Sequence, residues 1–216
     1  LAVKHLSSFD RAKILVNAGR LAEVEKDCWF MFTLYGGKYE KALNSPSWAR
    51  FIAANELGLQ AWRQGDFAAA DKRFQSIAPI MHPNLFSIAD PDVTGVMFSS
   101  FAVALLHAQH GGDFLADCRR VEVKIGRLWM QRISYQARYL LGKIDDAQFL
   151  AQPFRLYAEA DLALMQGLKA DHAGNSVRAR TAYQAWQLIP QRHRSEVPDQ
   201  AWQDFVAWRL TQLGSQ

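Results

Sequence analysis

Residues 51–78 read FIAANELGLQAWRQGDFAAADKRFQSIA, and this stretch decides the fold. Ile52, Leu57, Ala61 and Trp62 recur at helical spacing, and Gly65-Asp66 then breaks the run. A second amphipathic stretch follows, with Phe67, Ala70, Phe74 and Ile77 on one face. The pattern predicts an antiparallel helix pair. Ala70 lets two helices approach closely, and Phe74, one turn on, fills the space beside it.

The hairpin resembles a tetratricopeptide repeat, a helix-turn-helix unit of roughly 34 residues that stacks into solenoids. Leu57-Gly58, Gly65, Phe67, Ala70 and Phe74 carry the resemblance. In that family the first glycine admits close helix contact, the second closes the turn, and the small residue and aromatic lock the pair. The departures are Ala54, where the family often has Trp, Ala61, where it often has Tyr, and Pro83, one position from the family's late proline.

The same spacing returns in ALMQGLKADHAGNSVRARTAYQAWQLIP, where Gly167, Gly174, Ala179 and Tyr183 take the places of Gly58, Gly65, Ala70 and Phe74. Gln166 departs at the position of Leu57. A worn third copy runs through FAVALLHAQHGGDFLADCRRV, in which Gly112-Asp113-Phe114 imitates Gly65-Asp66-Phe67. Asp117 there holds the small-residue slot and Leu105 the first glycine slot. The resemblance covers about half the chain.

Composition agrees with stacked helix pairs. Hydrophobic residues make up 50% of 216, enough for one large helical core, and the seven prolines fall at segment joints. No alternation of period two is long enough to argue for a sheet. Cys28 and Cys118 are too few for a disulfide framework, and no apolar run reaches the ~20 residues of a membrane span. The expectation is a single helical-repeat domain over 1–216, a fragment of a longer chain.

Helices are expected around 9–17 and 21–34, from Ser45-Pro46 to about Gln64, and from Asp92 to His110. Two more fill 113–144. After an Asp145-Asp146 loop, a pair spans 154–171 and 176–188, and a closing helix spans 199–213. That last helix presents Trp202, Phe205 and Val206 inward and a polar face at Gln203, Arg209 and Gln212.

Chemistry is thin. His107, His110, Asp113 and Cys118 lie near one turn, but no HExxH or paired CxxC frames a metal site. Exposed histidines at a helix end and a buried small Cys118 are the expectation. Asp145-Asp146 reads as turn and cap chemistry, and no nucleophile elbow, phosphate loop or dinucleotide fingerprint occurs. Neither catalysis, a metal nor a cofactor is predicted.

The net charge is +4, with bases at Arg119, Arg120, Lys124, Arg127, Arg132 and Arg138 and again at Arg178, Arg180, Arg192, His193 and Arg194. Arg120, Lys124 and Arg127 can share a helix face. A solvated face or an acidic protein partner accounts for this stripe better than nucleic acid does.

The resemblance implies that the first helix of each hairpin lines a groove for peptides or helices. In the central hairpin the partner-binding residues would be Ile52, Asn55, Leu59, Trp62 and Arg63. In the last they would be Asp161, Leu164, Leu168, Asp171 and His172. Only Asn55 fits the family's carboxylate clamp, since Leu59 stands where a second Asn belongs. Trp62 reads equally as groove or core. The resulting expectation is an all-α, tetratricopeptide-like α-solenoid or irregular helical-repeat domain. It would act as a non-catalytic protein–protein interaction module, binding a protein segment or self-associating. The alternative is a basic nucleic-acid-associated or regulatory helical domain.

Overall fold

The computed structural model describes residues 47–76, 93–122, 128–152, 157–195 and 200–214. These are predominantly helical, with no strand among them. They form α1 (Ser47–Arg63), α2 (Phe67–Gln75), α3 (Val93–Met97), a π segment (Phe98–Ala102) and α4 (Val103–Ala108). Then come α5 (Phe114–Arg120), α6 (Leu128–Leu140), α7 (Asp146–Leu150), α8 (Ala158–His172), α9 (Ser176–Leu188), a 3-10 turn (Gln191–His193) and α10 (Gln200–Gly214). The helices expected over 9–17 and 21–34, and Lys124 and Arg127 of the basic stripe, lie outside the described residues. The chain divides into two compact units, Leu1–Val96 with Val197–Ala201, and Met97–Glu196 with Trp202–Gln216.

In the first unit α1 and α2 form the hairpin that the quoted stretch predicts. Gly65 adopts φ +80°, a left-handed turn that favours glycine. Its N–H bonds to the Trp62 carbonyl and that of Asp66 to the Ala61 carbonyl, both at 3.0 Å, so the last carbonyls of α1 are satisfied. Asp66 then caps α2 by accepting from the Ala69 N–H at 3.0 Å. Ala70 is fully buried and Phe74 is 5% exposed. The ring of Phe74 lies against Gly58, where a Cβ would stand 2.3 Å from it. Glycine at that position is what allows the two helices to close around the aromatic.

The second unit repeats the device. Gly174 has φ +72°, Asn175 caps α9 by accepting from the Arg178 N–H, and the Tyr183 ring would stand 2.5 Å from a Cβ on Gly167. The α4/α5 turn uses it with an insertion. Gly111, not Gly112, is the left-handed residue (φ +88°), and the cap Asp113 comes two positions later. A fourth turn that the repeat pattern does not predict joins α6 to α7. There Gly142 has φ +71° and Asp145 opens a capping box with Gln148, converting the expected loop into a short helix.

Each helix from α4 to α9 packs on its successor, and α8 also touches α4 and α6. Phe98 of the π segment meets Trp202 and Phe205 of α10 edge-on, at centroid separations of 5.1 and 5.9 Å. The expected polar face of α10 needs correction. Arg209 is buried and grips Asp171 of α8 through two hydrogen bonds of 2.9 and 2.6 Å.

Candidate binding site

The five residues assigned to a groove on α1 fall in different places. Asn55 is fully buried, and its amide donates to the Gly95 carbonyl at 2.9 Å. Leu59 is fully buried, and Trp62 is 6% exposed with its ring edge-on to Phe67 at 4.9 Å. Trp62 therefore belongs to the core. Arg63 is exposed, and the side chain of Ile52 lies outside the described residues. Most of the corresponding face of α8 is covered too, since Asp161, Leu164 and Leu168 are buried, while His172 is exposed with its ring 4.6 Å from that of Phe114.

Two carboxylates on that face of α8 are spent on buried ion pairs. Arg132 of α6 holds Asp161 at 2.6 and 2.7 Å while stacking 4.9 Å over Tyr157. Asp171 accepts from Arg209 and from the Tyr183 hydroxyl at 3.1 Å. Burial first, then Asp171, pushes the Tyr183 hydroxyl well above its ordinary pKa. Arg132 thereby leaves the basic surface group. Arg119 and Arg120 pair with Asp113 and Asp117, and Arg194 stacks 4.3 Å over Trp186.

An accessible concavity lies elsewhere. Two turns, Gly142–Asp145 and Ala173–Asn175, border a cavity of about 600 Å³, within the range of small-ligand pockets. Tyr139 of α6 enters it from one side and Gln166 and Lys169 of α8 from another. The Tyr139 hydroxyl donates to Asp146 Oδ1 at 2.7 Å and the Gln166 amide to Asp146 Oδ2 at 2.8 Å. Both oxygens of that carboxylate are thereby held. Burial first, then the bond to Asp146, raises the Tyr139 pKa, so the hydroxyl stays protonated. Lys169 Nζ donates to the Tyr139 carbonyl at 3.1 Å and lies 4.6 Å from the ring centroid. Lys143 pairs with Glu122.

Arg178 completes the lining from the first turn of α9. Its backbone N–H is taken by the Asn175 cap, while its guanidinium has no ion pair or hydrogen bond among the described residues. Sequence reading counted Arg178 among exposed bases. A signal was present in the register of the repeats, because Gln166, Lys169 and Arg178 stand where the first hairpin has Leu57, Gln60 and Ala69.

The residues near the α4/α5 turn take different places. Asp113 caps α5, accepting from the Ala116 N–H at 2.9 Å. Cys118 is fully buried, and burial, then Asp117, pushes its thiol up to about 12. Among the described residues, no three His, Cys, Asp or Glu side chains gather as a metal site. No helix among them is long and apolar enough to cross a membrane. Comparison with family models, curated proteins and solved structures finds no match.

Proposed function

We propose that the chain is a non-catalytic interaction module built from tetratricopeptide-like hairpins, and that it holds a segment of another protein. The observation carrying this reading is the shared construction of α1/α2 and α8/α9. Each sets an aromatic ring on a glycine of the first helix and closes with a left-handed glycine followed by a cap. The packing of each helix from α4 to α9 on its successor supports a stacked arrangement. The cavity beside α6–α9 offers polar groups in a concave setting, whereas Asn55, Leu59 and Trp62 of α1 are buried.

Affinity capture tests this. The intact chain, as bait, should retain a defined protein in stoichiometric yield whether or not nuclease is added. Arg178→Glu should reduce that yield without changing Tm, and Arg63→Glu should not. Capture abolished by nuclease, with log affinity falling steeply against log salt, would support the nucleic-acid alternative instead. If sedimentation also shows a monomer and no partner is retained, the interaction reading fails.

A further inference from the structure

We propose that the outer side of α9 is a docking surface for an anionic lipid membrane, with Val177 and Leu188 entering the acyl boundary and neighbouring arginines meeting lipid phosphates. This goes beyond the reading of the chain as a binder of protein segments and does not use the cavity.

The helix is apolar on two opposite sides. Ala179, Ala182, Tyr183 and Trp186 are buried and face the core. On the other side Val177, Thr181, Ala185 and Leu188 recur at helical spacing, and all four are exposed. Val177 and Leu188 are the two most exposed large apolar side chains among the described residues, at 77% and 84%. Three turns apart, they fall within about 20° of each other round the helix. Thr181 between them adds little polarity, since its hydroxyl donates to the Val177 carbonyl at 3.0 Å. Gln184 borders the stripe. Aliphatic side chains exposed singly are ordinary, but a stripe of them along one helix with cations beside it is the pattern of a helix that lies in a membrane interface.

The surroundings supply those cations. No carboxylate occurs in the sequence between Asp171 and Glu196, whereas Arg178 and Arg180 flank the Val177 end and Arg192 follows Leu188 in the 3-10 turn. Arg180 and Arg192 are exposed. Arg192 uses its Nε–H on His193 Nε2 at 3.1 Å, which leaves its terminal N–H groups for a phosphate.

Charge and apolarity together select the occupant. A second copy would set arginines against arginines with no carboxylate to intervene. A nucleic-acid backbone would take the arginines and leave the aliphatic stripe in water. An anionic bilayer uses both, because headgroup phosphates attract the arginines while the acyl boundary takes Val177 and Leu188.

The intact chain is titrated with phosphatidylcholine vesicles, vesicles that also contain phosphatidylglycerol, a DNA duplex and polyglutamate. Flotation reads the vesicles and fluorescence anisotropy the polymers. Phosphatidylglycerol vesicles should bind, and pure phosphatidylcholine should not. Val177→Gln and Leu188→Gln should each weaken binding about tenfold, and Arg180→Gln and Arg192→Gln about fivefold each. Thr181→Leu lengthens the stripe and should tighten binding, which tests the surface without removing an apolar side chain. Arg120→Gln, at an exposed residue paired with Asp117 on α5, should leave binding unchanged. Arg178 stays intact in every variant, so the cavity lining is preserved and segment capture is judged separately. Absence of binding to anionic vesicles overturns the proposal, as does binding that the changes at Val177, Thr181 and Leu188 leave untouched. A duplex or polyglutamate held more tightly than the vesicles through the same residues also overturns it and assigns the surface to that polyanion. A dimer in sedimentation that Leu188→Gln dissociates assigns it to a second copy instead.

Discussion

The hairpins α1/α2 and α8/α9 superimpose in sequence at an offset of 109 residues, Gly58 against Gly167, yet the same frame is finished differently. Ile52 and Trp62 of α1 become Asp161 and Asp171 of α8, and Phe74 becomes Tyr183. In the first hairpin Trp62 turns its ring edge-on to Phe67, an apolar closure. In the second, both substituted carboxylates are buried against arginines brought by α6 and α10, and the added hydroxyl joins Asp171. Backbone geometry is thus set by the two glycines, the small residue and the ring. Neighbouring helices are selected by what stands at the two positions that change.

The largest effect should come from breaking one of the added ion pairs. Arg132 and Asp161 side chains are each 4% exposed, so Arg132→Met strands a buried carboxylate and should cost about 3–5 kcal/mol. Adding Asp161→Leu should recover most of this, because the first hairpin carries Ile52 at that position. Chemical denaturation of both variants decides the point. Equal losses in the single and double variants would mean that the site needs the ion pair rather than merely tolerating it.

Exchanging the aromatics sharpens the contrast. Tyr183→Phe keeps the ring on Gly167 but loses a bond to a charged acceptor, and should cost about 1–3 kcal/mol. Phe74→Tyr, in the same register, aims a hydroxyl toward the Trp62 position, where no carboxylate stands. It should also destabilise, by about 1–3 kcal/mol for an unpaired buried polar group. Gains from either exchange, measured by denaturation, would show that the hairpins are interchangeable.

The frame of both hairpins was legible because it is made by contacts within one hairpin. Gly58 with Phe74, and Gly167 with Tyr183, are sixteen residues apart, and that spacing survives even where Gln166 replaces Leu57. The partners of Asp161 and Asp171 were not legible. Arg132 and Arg209 lie 29 and 38 residues away, on helices whose placement no local period encodes. The cavity was hidden for the same reason, since Asp146 and Gln166 meet only once α7 folds beside α8. Trp62 was ambiguous because helical spacing gives a face and not what covers it.

Alkaline pH should weaken the second unit in a way Phe74 cannot contribute to. Tyr139 and Tyr183 rise above their ordinary 10.0, and Cys118 rises from 9.0 to about 12. Raised values mean that the folded state keeps its protons longer. The associated stability is complete below about pH 9 and is lost as pH climbs toward the folded values. Each group adds a slope of about 1.4 kcal/mol per pH unit once its unfolded form ionises. Cys118→Ala should flatten the fall from pH 9, and Tyr183→Phe the fall above pH 10. Denaturation between pH 8 and 11 reads both, and a wild-type slope in Tyr183→Phe would place its hydroxyl in water.

The smallest effect tests whether the two turns are as alike as their frames. Gly65 and Gly174 have φ of +80° and +72°, and a Cβ added at either meets nothing within 4 Å. Alanine there therefore suffers no clash with a neighbour and bears only the left-handed backbone cost, about 1–2 kcal/mol. Gly65→Ala and Gly174→Ala should lose the same amount, and asparagine, which tolerates this conformation, should lose less at both positions. The helix-interior glycines are the contrast. Gly58→Ala forces a Cβ to 2.3 Å from the Phe74 ring, so its helix-propensity gain of about 1 kcal/mol competes with overpacking. Unequal losses at Gly65 and Gly174 would mean that Asp66 and Asn175 are not equivalent caps, and the comparison would then hold for the ring and its glycine but not for the turn.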